Sequence, residues 1–347
     1  MKTNVKPGKN KKLIAAISII LAVVLLLAGG LITYFLVFSN PGKTPADRIS
    51  KGVVPTAEDL QNAKIYDRVV ILGVDGAGGT WSWFNTPHFD EIFENGSVNL
   101  NGMPQYPTIS AQNWASMFLG VTAQKHNLTN DRAKLFTRTA GKLPSFLTVY
   151  AEAHPGATLY SCSSWSQINH GIIEKTVPGL TKVNGKDLVE NKDDSYSIDK
   201  AVAEAVVERI KTHDDKIIFA HFNSVDHEGH SYGNQSEQYK KGMEKIDEYL
   251  GIVYDGFKAQ NKVDGTLFIC VSDHGHAVEG GHGKESAFEK QTTFAVAGNK
   301  GDIIKGSSGY YVTHDLASVV LYALGVKQPD HYEGGVPTNL FNTIKSK

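Results

Sequence analysis

The segment Thr266-Leu-Phe-Ile-Cys-Val-Ser-Asp273-His274 indicates the fold of this chain, because an apolar run ends abruptly at two residues of types that commonly bind metals. Short runs rich in β-branched and aromatic residues are typical of strands buried on both faces of a sheet. Two other segments repeat this form: Arg68 to Val74 ends at Asp75, and Lys216 to Phe222 is soon followed by Asp226. The pattern predicts a parallel sheet whose carboxyl edge carries the functional side chains.

The acids and histidines that follow these strands form one candidate metal centre. His230 lies four residues after Asp226, and His274 directly follows Asp273. His282 comes next, between glycines. Mixed histidine and aspartate ligands suit zinc or a similar divalent metal. A catalytic zinc usually takes about three protein ligands, so this set indicates two metal ions. Each residue alone also fits a turn, a loop or a helix start, and it is their combination after strands that favours metal binding.

Strand and helix patterns alternate from Asp67 onward and predict a three-layer α/β sandwich around a mainly parallel sheet. The predicted strands are residues 68–74, 158–162, 216–222, 266–272 and 292–297. The predicted helices are residues 112–119, 145–152, 199–212, 236–257 and 315–324. Residues 171–194 show the least pattern, and we interpret them as an inserted flap.

The amino-terminal segment predicts a membrane anchor. Residues 13–38 carry no charge and exceed the roughly 20 residues that a membrane helix needs. Five lysines precede them, and the positive-inside rule keeps that end in the cytoplasm. We therefore expect a basic cytoplasmic segment (1–12), a transmembrane signal anchor (13–38), a proline-containing stalk (39–66) and an extracytoplasmic domain (67–347). A cleaved signal peptide is the alternative, although its apolar region is normally only about 7–15 residues long.

The composition of the chain limits the kinds of partner that it is expected to bind. The chain has 347 residues and a formal net charge of −1, which argues against nucleic acid as the main partner. Its two cysteines, Cys162 and Cys270, do not make a disulfide framework. The sequence does not indicate an oligomeric state.

A hydroxyl-bearing segment, Tyr106-Pro-Thr108-Ile-Ser110-Ala-Gln-Asn113, leads into the predicted helix 112–119. In one interpretation, Thr108 or Ser110 is only a helix cap that satisfies free backbone amides. The same position also attracts an anion such as phosphate, and metal coordination activates a serine hydroxyl as a nucleophile. The residues by themselves leave both interpretations open.

Two tryptophans and several further histidines fit either the functional site or the core. Trp81 stands where a dinucleotide-binding pattern would need its third glycine, so that motif is absent. Trp81 and Trp83 fit either the wall of a substrate pocket or the core. His221 fits the core or a position behind the metal ligands. The weaker ligand candidates are His227, His276 and His314.

Further motifs occur in order along the chain. They are Val-Asp75-Gly, Thr86-Pro-His-Phe-Asp, Tyr106-Pro-Thr-Ile-Ser-Ala-Gln-Asn113, Asp226-x-x-Gly-His230, Ser-Asp273-His-Gly, Gly-His282-Gly and the ending Asp315-Leu-Ala-Ser-Val-Val-Leu-Tyr-Ala-Leu-Gly. Together they resemble the alkaline phosphatase superfamily, and most closely its type I phosphodiesterase/nucleotide pyrophosphatase branch. The ethanolamine-phosphate transferases that modify lipid anchors are similar too. The resemblance covers residues from about Arg68 to Phe341.

The resemblance implies two zinc ions, with manganese as the alternative metal. It assigns one ion to Asp226, His230 and His282. It assigns the other ion to Asp75, Asp273, His274 and the oxygen of Ser110. By the same resemblance Ser110 is the nucleophile, Thr108 is the runner-up, and Asn113 binds a non-bridging phosphate oxygen.

Departures from the family's patterns bear on the substrate. Gln112 stands where relatives often have proline, and the (C/S)-x-P-x-R signature of sulfatases is not matched at Ser110. Alkaline phosphatases proper place an arginine beside the nucleophile, but none occurs between Arg68 and Arg132. A diester carries less charge than a monoester, so this absence favours a diester.

We therefore expect a membrane-anchored, extracytoplasmic hydrolase that cleaves phosphodiester or pyrophosphate bonds of a small molecule, lipid or glycan through a phosphoserine. The alternatives are a phosphoethanolamine- or glycerophosphate-type transferase acting on lipid or envelope glycan, a phosphomonoesterase, and a non-enzymatic surface protein stabilised by metal.

Overall fold

The apolar runs become the central strands of one seven-stranded sheet in the computed structural model, which describes residues 52–139, 141–306 and 309–344. The strands are β1 (Arg68–Val74), β2 (Ser97–Gly102), β3 (Leu159–Ser163), β4 (Leu180–Asn184), β5 (Ile217–Phe222), β6 (Thr266–Val271) and β7 (Thr292–Ala297). Their spatial order is β2-β7-β6-β1-β5-β3-β4. Strands β6, β1, β5, β3 and β4 run parallel, while β7 is antiparallel to both β6 and β2. The predicted mainly parallel sheet is confirmed.

Helices cover both faces of this sheet. They are α1 (Ala57–Asn62), α2 (Pro87–Phe93), α3 (Ser110–Leu119), α4 (Ala123–His126), α5 (Asn130–Leu135), α6 (Phe146–Ala153), α7 (Ser195–Thr212), α8 (Ser224–Tyr232), α9 (Glu237–Ala259) and α10 (Leu316–Ala323). Side chains alternate between the faces of a strand, so Val69 and Ile71 pack under α3, α6 and α10. Val70 and Leu72 pack under α2, α7 and α9. The result is the predicted three-layer sandwich.

The long helix α9 illustrates why the sequence pattern predicts the covering layers well. Met243, Ile246, Leu250 and Val253 recur at helical spacing, and all four are fully buried. Ser236 caps the helix by accepting a hydrogen bond from the backbone of Tyr239. Periodicity and cap together fix both the face and the start of this helix.

The sequence pattern does not predict the two edge strands. Strand β4 lies within residues 171–194, so the interpretation of that stretch as an inserted flap is wrong; Leu180 pairs in parallel with Leu159 of β3. The apolar pattern also does not predict strand β2, whose sequence is Ser-Val-Asn-Leu-Asn-Gly. Edge strands have one neighbour and are incompletely buried, so they lack the continuous apolar run of the central strands.

The folded unit begins earlier than the predicted boundary at Asp67. Val53 exchanges two backbone hydrogen bonds with Val336, and α1 follows it. Tyr66 is buried, and its hydroxyl donates to Asp302 over 2.5 Å. Residues 52–66, which the sequence assigned to the stalk, therefore pack on the domain.

The rest of the predicted membrane topology falls on residues that the structure does not describe. These are the cytoplasmic segment, the anchor at 13–38 and residues 39–51 of the stalk. Within the described ranges, no helix combines the length and the apolar character that crossing a bilayer requires.

Candidate metal and active site

The predicted metal ligands gather at the carboxyl edge of the sheet. Asp75 directly follows β1, and Asp273 follows β6. Helix α8 begins two residues after β5 and carries Asp226 and His230, whose spacing of four residues puts them on one helix face. His282 reaches the same place from the loop after β6. The parallel sheet thus brings together residues more than 200 positions apart.

Site A comprises Asp226, His230 and His282. Their ligand atoms lie within 4.8 Å of one another. The Nδ1–H of His282 donates to the Thr108 carbonyl over 2.6 Å, which leaves its Nε2 as an unprotonated acceptor. That Nε2 lies 3.1 Å from His230 Nε2 and 3.6 Å from Asp226 Oδ1. Ligand atoms from three side chains therefore converge, as they do in metal sites.

Site B comprises Asp75, Asp273, His274 and Ser110. His274 Nδ1 faces the Gly275 carbonyl, so its Nε2 is directed inward. This Nε2 lies 3.1 Å from Ser110 Oγ and 3.1 Å from Asp273 Oδ2. The ligand atoms of Asp75, Asp273 and His274 also fall within 4.8 Å of one another.

The carboxylate of Asp75 is held from behind. Its Oδ2 accepts a hydrogen bond from Trp114 Nε1 over 2.8 Å and lies 3.1 Å from His221 Nε2. Both partners are buried, so the carboxylate has a fixed orientation. His221 therefore lies behind a predicted ligand, one of the two positions that the sequence allowed.

The charge balance of site B fits a divalent cation. Asp75 Oδ1 and Asp273 Oδ2 are buried without a hydrogen-bond partner. Burial, followed by the nearby charge of Asp75, raises the pKa of Asp273. Burial lowers the pKa of His274, so this histidine is neutral and cannot offset the two acids. Unpaired buried carboxylate oxygens are costly unless a cation binds them.

His276 lies at the centre of the site, although on sequence alone it is one of the weaker ligand candidates. Its Nε2 is 3.0 Å from Asp226 Oδ1. Burial opposes ionisation of Asp226, but the hydrogen bond to His276 and the neighbouring histidines hold the pKa of Asp226 below its ordinary value. Gly76 has a φ of +70°, and a Cβ there would come within 2.6 Å of His276 Nε2. The absence of a side chain at Gly76 leaves room for the His276 ring. The ring in turn orients the Asp226 carboxylate through the contact with Oδ1.

The two candidate hydroxyls are used differently. Thr108 donates to Glu289 over 3.0 Å and accepts from the Gly283 amide over 2.9 Å, so it holds the loop that carries His282. Ser110 is the first residue of α3, and Ile109 occupies the cap position without a side-chain hydrogen bond. The Ser110 hydroxyl therefore does not cap the helix and faces His274 instead.

Asn113 and Asn130 also differ. Asn113 is fully buried; its Oδ1 accepts from the Gln105 amide over 2.6 Å and from Thr313 Oγ1 over 3.2 Å. Its predicted role as a phosphate ligand stays a prediction. Asn130, which the sequence did not single out, is exposed at the start of α5, and its Oδ1 accepts from the Ala111 amide over 2.9 Å. The side-chain amide of Asn130 thus lies beside the start of α3, next to Ser110, although no sequence motif marks α5.

The two tryptophans, Trp81 and Trp83, differ in their exposure to solvent. Trp81 is 1% exposed and stacks on Phe89 with ring centroids 4.3 Å apart, so it packs in the core, which is one of its two predicted positions. Trp83 is 43% exposed and packs edge-on against Phe288 in the loop after His282. Its predicted contact with substrate stays a prediction.

The class of protein follows from the fold and the site: an alkaline phosphatase-like fold that carries two adjoining aspartate–histidine groups and a serine at a helix start. Residues 69–287 match the family described as type I phosphodiesterase / nucleotide pyrophosphatase. The chain belongs to this family.

Curated relatives are similar at low identity. GPI ethanolamine phosphate transferase 2 of Aspergillus fumigatus is 22% identical over 293 residues, which cover 76% of this chain and 35% of that protein. Ectonucleotide pyrophosphatase/phosphodiesterase family member 1 of Homo sapiens is 23% identical over 203 residues, covering 56% of this chain and 22% of that protein. The chain thus spans about a third or less of the length of these relatives.

Solved structures show the same fold. Murine ectonucleotide pyrophosphatase/phosphodiesterase 5 in complex with AMP has a TM-score of 0.61 at 14% identity, covering 79% of this chain and 100% of that one. The lipoteichoic acid synthase LtaP from Listeria monocytogenes has a TM-score of 0.59 at 12% identity, covering 82% and 81%. At these identities the likeness concerns the fold alone.

Proposed function

We propose that this domain cleaves phosphodiester or pyrophosphate bonds and carries the phosphoryl group transiently on Ser110. One observation carries the proposal: Ser110 Oγ lies 3.1 Å from His274 Nε2 of site B, at the amino end of α3. A hydroxyl in that position has a metal-ligand neighbour to favour its ionised form and helix amides to receive an anion.

The residues divide the chemistry among them. Sites A and B would each hold one divalent ion, and the bound ions would neutralise phosphate charge and favour the alkoxide form of Ser110. The side chain then attacks phosphorus, and the bond to the leaving alcohol breaks. The amides at the start of α3 other than that of Ala111, together with the Asn130 side chain, stabilise charge on the equatorial oxygens. Water attacks the phosphoserine in a second step and restores Ser110.

The arginine contacts support a diester substrate. Every arginine of the described residues has a partner away from the two ligand groups. Arg68 pairs with Asp214, Arg138 with Glu174 and Arg209 with Asp215, while Arg132 donates to the Asn127 carbonyl. The extra negative charge of a monoester would find no guanidinium there.

Paired aryl esters test this preference. We expect the zinc-loaded protein to cleave bis(p-nitrophenyl) phosphate with a kcat/KM at least about tenfold above that for p-nitrophenyl phosphate, because no arginine offsets the added charge. Initial-rate kinetics at equal metal loading measure both values. A clear preference for the monoester would refute the diester assignment and leave the phosphomonoesterase alternative.

Transfer to an alcohol is the second candidate, favoured by the similarity over 76% of this chain to a protein described as a GPI ethanolamine phosphate transferase. Both activities pass through the same phosphoserine, and only the acceptor differs. Added alcohols should then divert product from hydrolysis to transfer while total leaving-group release stays constant. A hydrolase that excludes alcohols would give no transfer product at any acceptor concentration.

The location of the domain is part of the proposal. Residues 13–38 would anchor the chain in the cell membrane once, with the catalytic domain outside the cytoplasm. Protease added to intact cells should degrade the domain. Protection until the cells are permeabilised would contradict this orientation.

The two asparagines can be separated by mutation. Asn130→Ala should lower kcat by about 10²-fold with only a small fall in melting temperature, because it removes a donor to phosphate oxygens and one hydrogen bond of an exposed side chain, to the Ala111 amide. Asn113→Ala should lower the melting temperature much more, because it leaves the Gln105 amide without its buried acceptor. Steady-state kinetics and thermal unfolding measure the pair. Loss of kcat with unchanged stability in Asn113→Ala would return the phosphate-binding role to Asn113.

A further inference from the structure

The end of α5 exposes two large apolar side chains next to the active site. Leu135 is 69% exposed and Phe136 is 65% exposed, the highest values among the large apolar side chains in the described ranges. We call these two residues the apolar tip. Leu135 lies five residues after Asn130, so the tip is about 8 Å along the helix axis from the side chain that contacts the start of α3.

Cations flank the apolar tip along the chain. Lys134 precedes it, and Lys142 follows in the same connection to α6. Lys175 lies alongside, because its backbone amide donates to the Arg138 carbonyl over 2.6 Å. All three lysines are exposed, and in the part of the chain that the structure describes they form no ion pair. Asp131 is the one acid of the segment 130–139.

The tip stands on a fixed base. On one side, Thr129 caps α5 and Asn130 accepts from the Ala111 amide. On the other side, Arg138 pairs with the buried Glu174 over 2.8 Å, and Glu174 also accepts from Ser145. The exposed apolar residues are therefore presented between two anchored points, which makes them a defined surface.

We propose that the apolar tip and its lysines dock on the surface of an anionic lipid bilayer. Apolar side chains flanked by cations are the combination that binds such surfaces, because the apolar groups enter the headgroup boundary and the cations attract anionic lipids. Apolar groups of this kind reach about 5–10 Å into that boundary. Asn130 lies a similar distance from the tip, so a tip inserted to this depth would bring Asn130 to the membrane surface. The site would then face the membrane and receive a phosphodiester held in a lipid headgroup.

Site-specific fluorescence on the full chain tests this docking. Cys162 and Cys270 are fully buried, and burial raises the pKa of Cys162 to about 12, so neither competes for a thiol-reactive label. Thr137→Cys places the label beside the tip. Lys211→Cys, near the end of α7 at the amino edge of the sheet, is the matched control. Both labelled proteins enter nanodiscs of phosphatidylcholine, alone or mixed equally with phosphatidylglycerol, containing a nitroxide-lipid quencher.

We expect quenching at position 137 to be at least about threefold stronger than at position 211 in the anionic discs, and weaker in pure phosphatidylcholine. The double substitution Leu135→Ser with Phe136→Ser should remove most of this difference, and Lys134→Glu should reduce it. Similar quenching at both positions, or none at 137, would overturn the proposal. A label at 137 that is shielded in detergent but unquenched by lipid would instead assign the tip to a protein partner or a second copy. Because no turnover is measured, the result is independent of the role proposed for Ser110.

Discussion

Ser110→Ala is expected to lower kcat for an aryl phosphodiester by on the order of 10³-fold or more, because it removes the only atom proposed to bond to phosphorus. The Ser110 hydroxyl makes no cap hydrogen bond and faces His274 over 3.1 Å, so its loss should leave the fold intact. Initial rates at saturating zinc measure the effect. Mass spectrometry of acid-quenched protein should find the phosphoryl adduct on the peptide containing Ser110 and not in the variant.

Thr108→Val is the matched control for Ser110→Ala. Thr108 is the rival hydroxyl, but it holds Glu289 and the Gly283 amide. Its removal should loosen the loop that carries His282 and cost up to about tenfold in kcat/KM, while the adduct still forms. An active Ser110→Ala protein beside an inactive Thr108→Val protein would move the nucleophile to Thr108.

The central strands and the ligands after them could be predicted from sequence for the same physical reason. A strand buried on both faces needs an unbroken apolar run, as in 266–271, and the first polar residues after it must lie at the sheet edge. Asp75, Asp226 and Asp273 were found because each follows such a run. The family resemblance adds the order of the motifs along the chain. The structure adds the direction in which each ligand atom points.

The residues that the sequence did not reveal reach the site through tertiary contacts. Asn130 arrives from a short helix with no motif, and its neighbour Ala111 is 19 positions away. Trp114 reads as an ordinary core residue of α3, yet its indole N–H fixes Asp75. His276 is central only because Gly76 and Gly229 leave space for its ring. No local periodicity records such contacts, so sequence patterns could not rank these residues.

Asp273→Asn is expected to have opposite effects on activity and on the stability of the metal-free protein. The substitution removes a negative ligand from site B, so kcat should fall by on the order of 10²-fold or more and zinc stoichiometry should fall by about one ion. Without metal, Asp273 and Asp75 are buried together with unpaired oxygens, and burial and the charge of Asp75 raise the pKa of Asp273. Removing one charge relieves that repulsion, so the metal-free melting temperature should rise by about 2–4 °C per kcal/mol gained.

Asp247→Asn separates this effect from the general loss of a buried aspartate. Asp247 is also buried, and burial raises its pKa, but it accepts from the backbone amides of His88 and Phe89 at the start of α2. Its substitution should lower the melting temperature with and without zinc, and should leave zinc stoichiometry and kcat near wild type. Metal analysis and thermal unfolding on both variants decide the matter. If Asp273→Asn lowered the metal-free melting temperature as Asp247→Asn does, or kept its full zinc content, site B would not be a metal site. A bound cation would offset both buried carboxylates, and its absence explains why the metal-free protein gains stability when one of them is neutral.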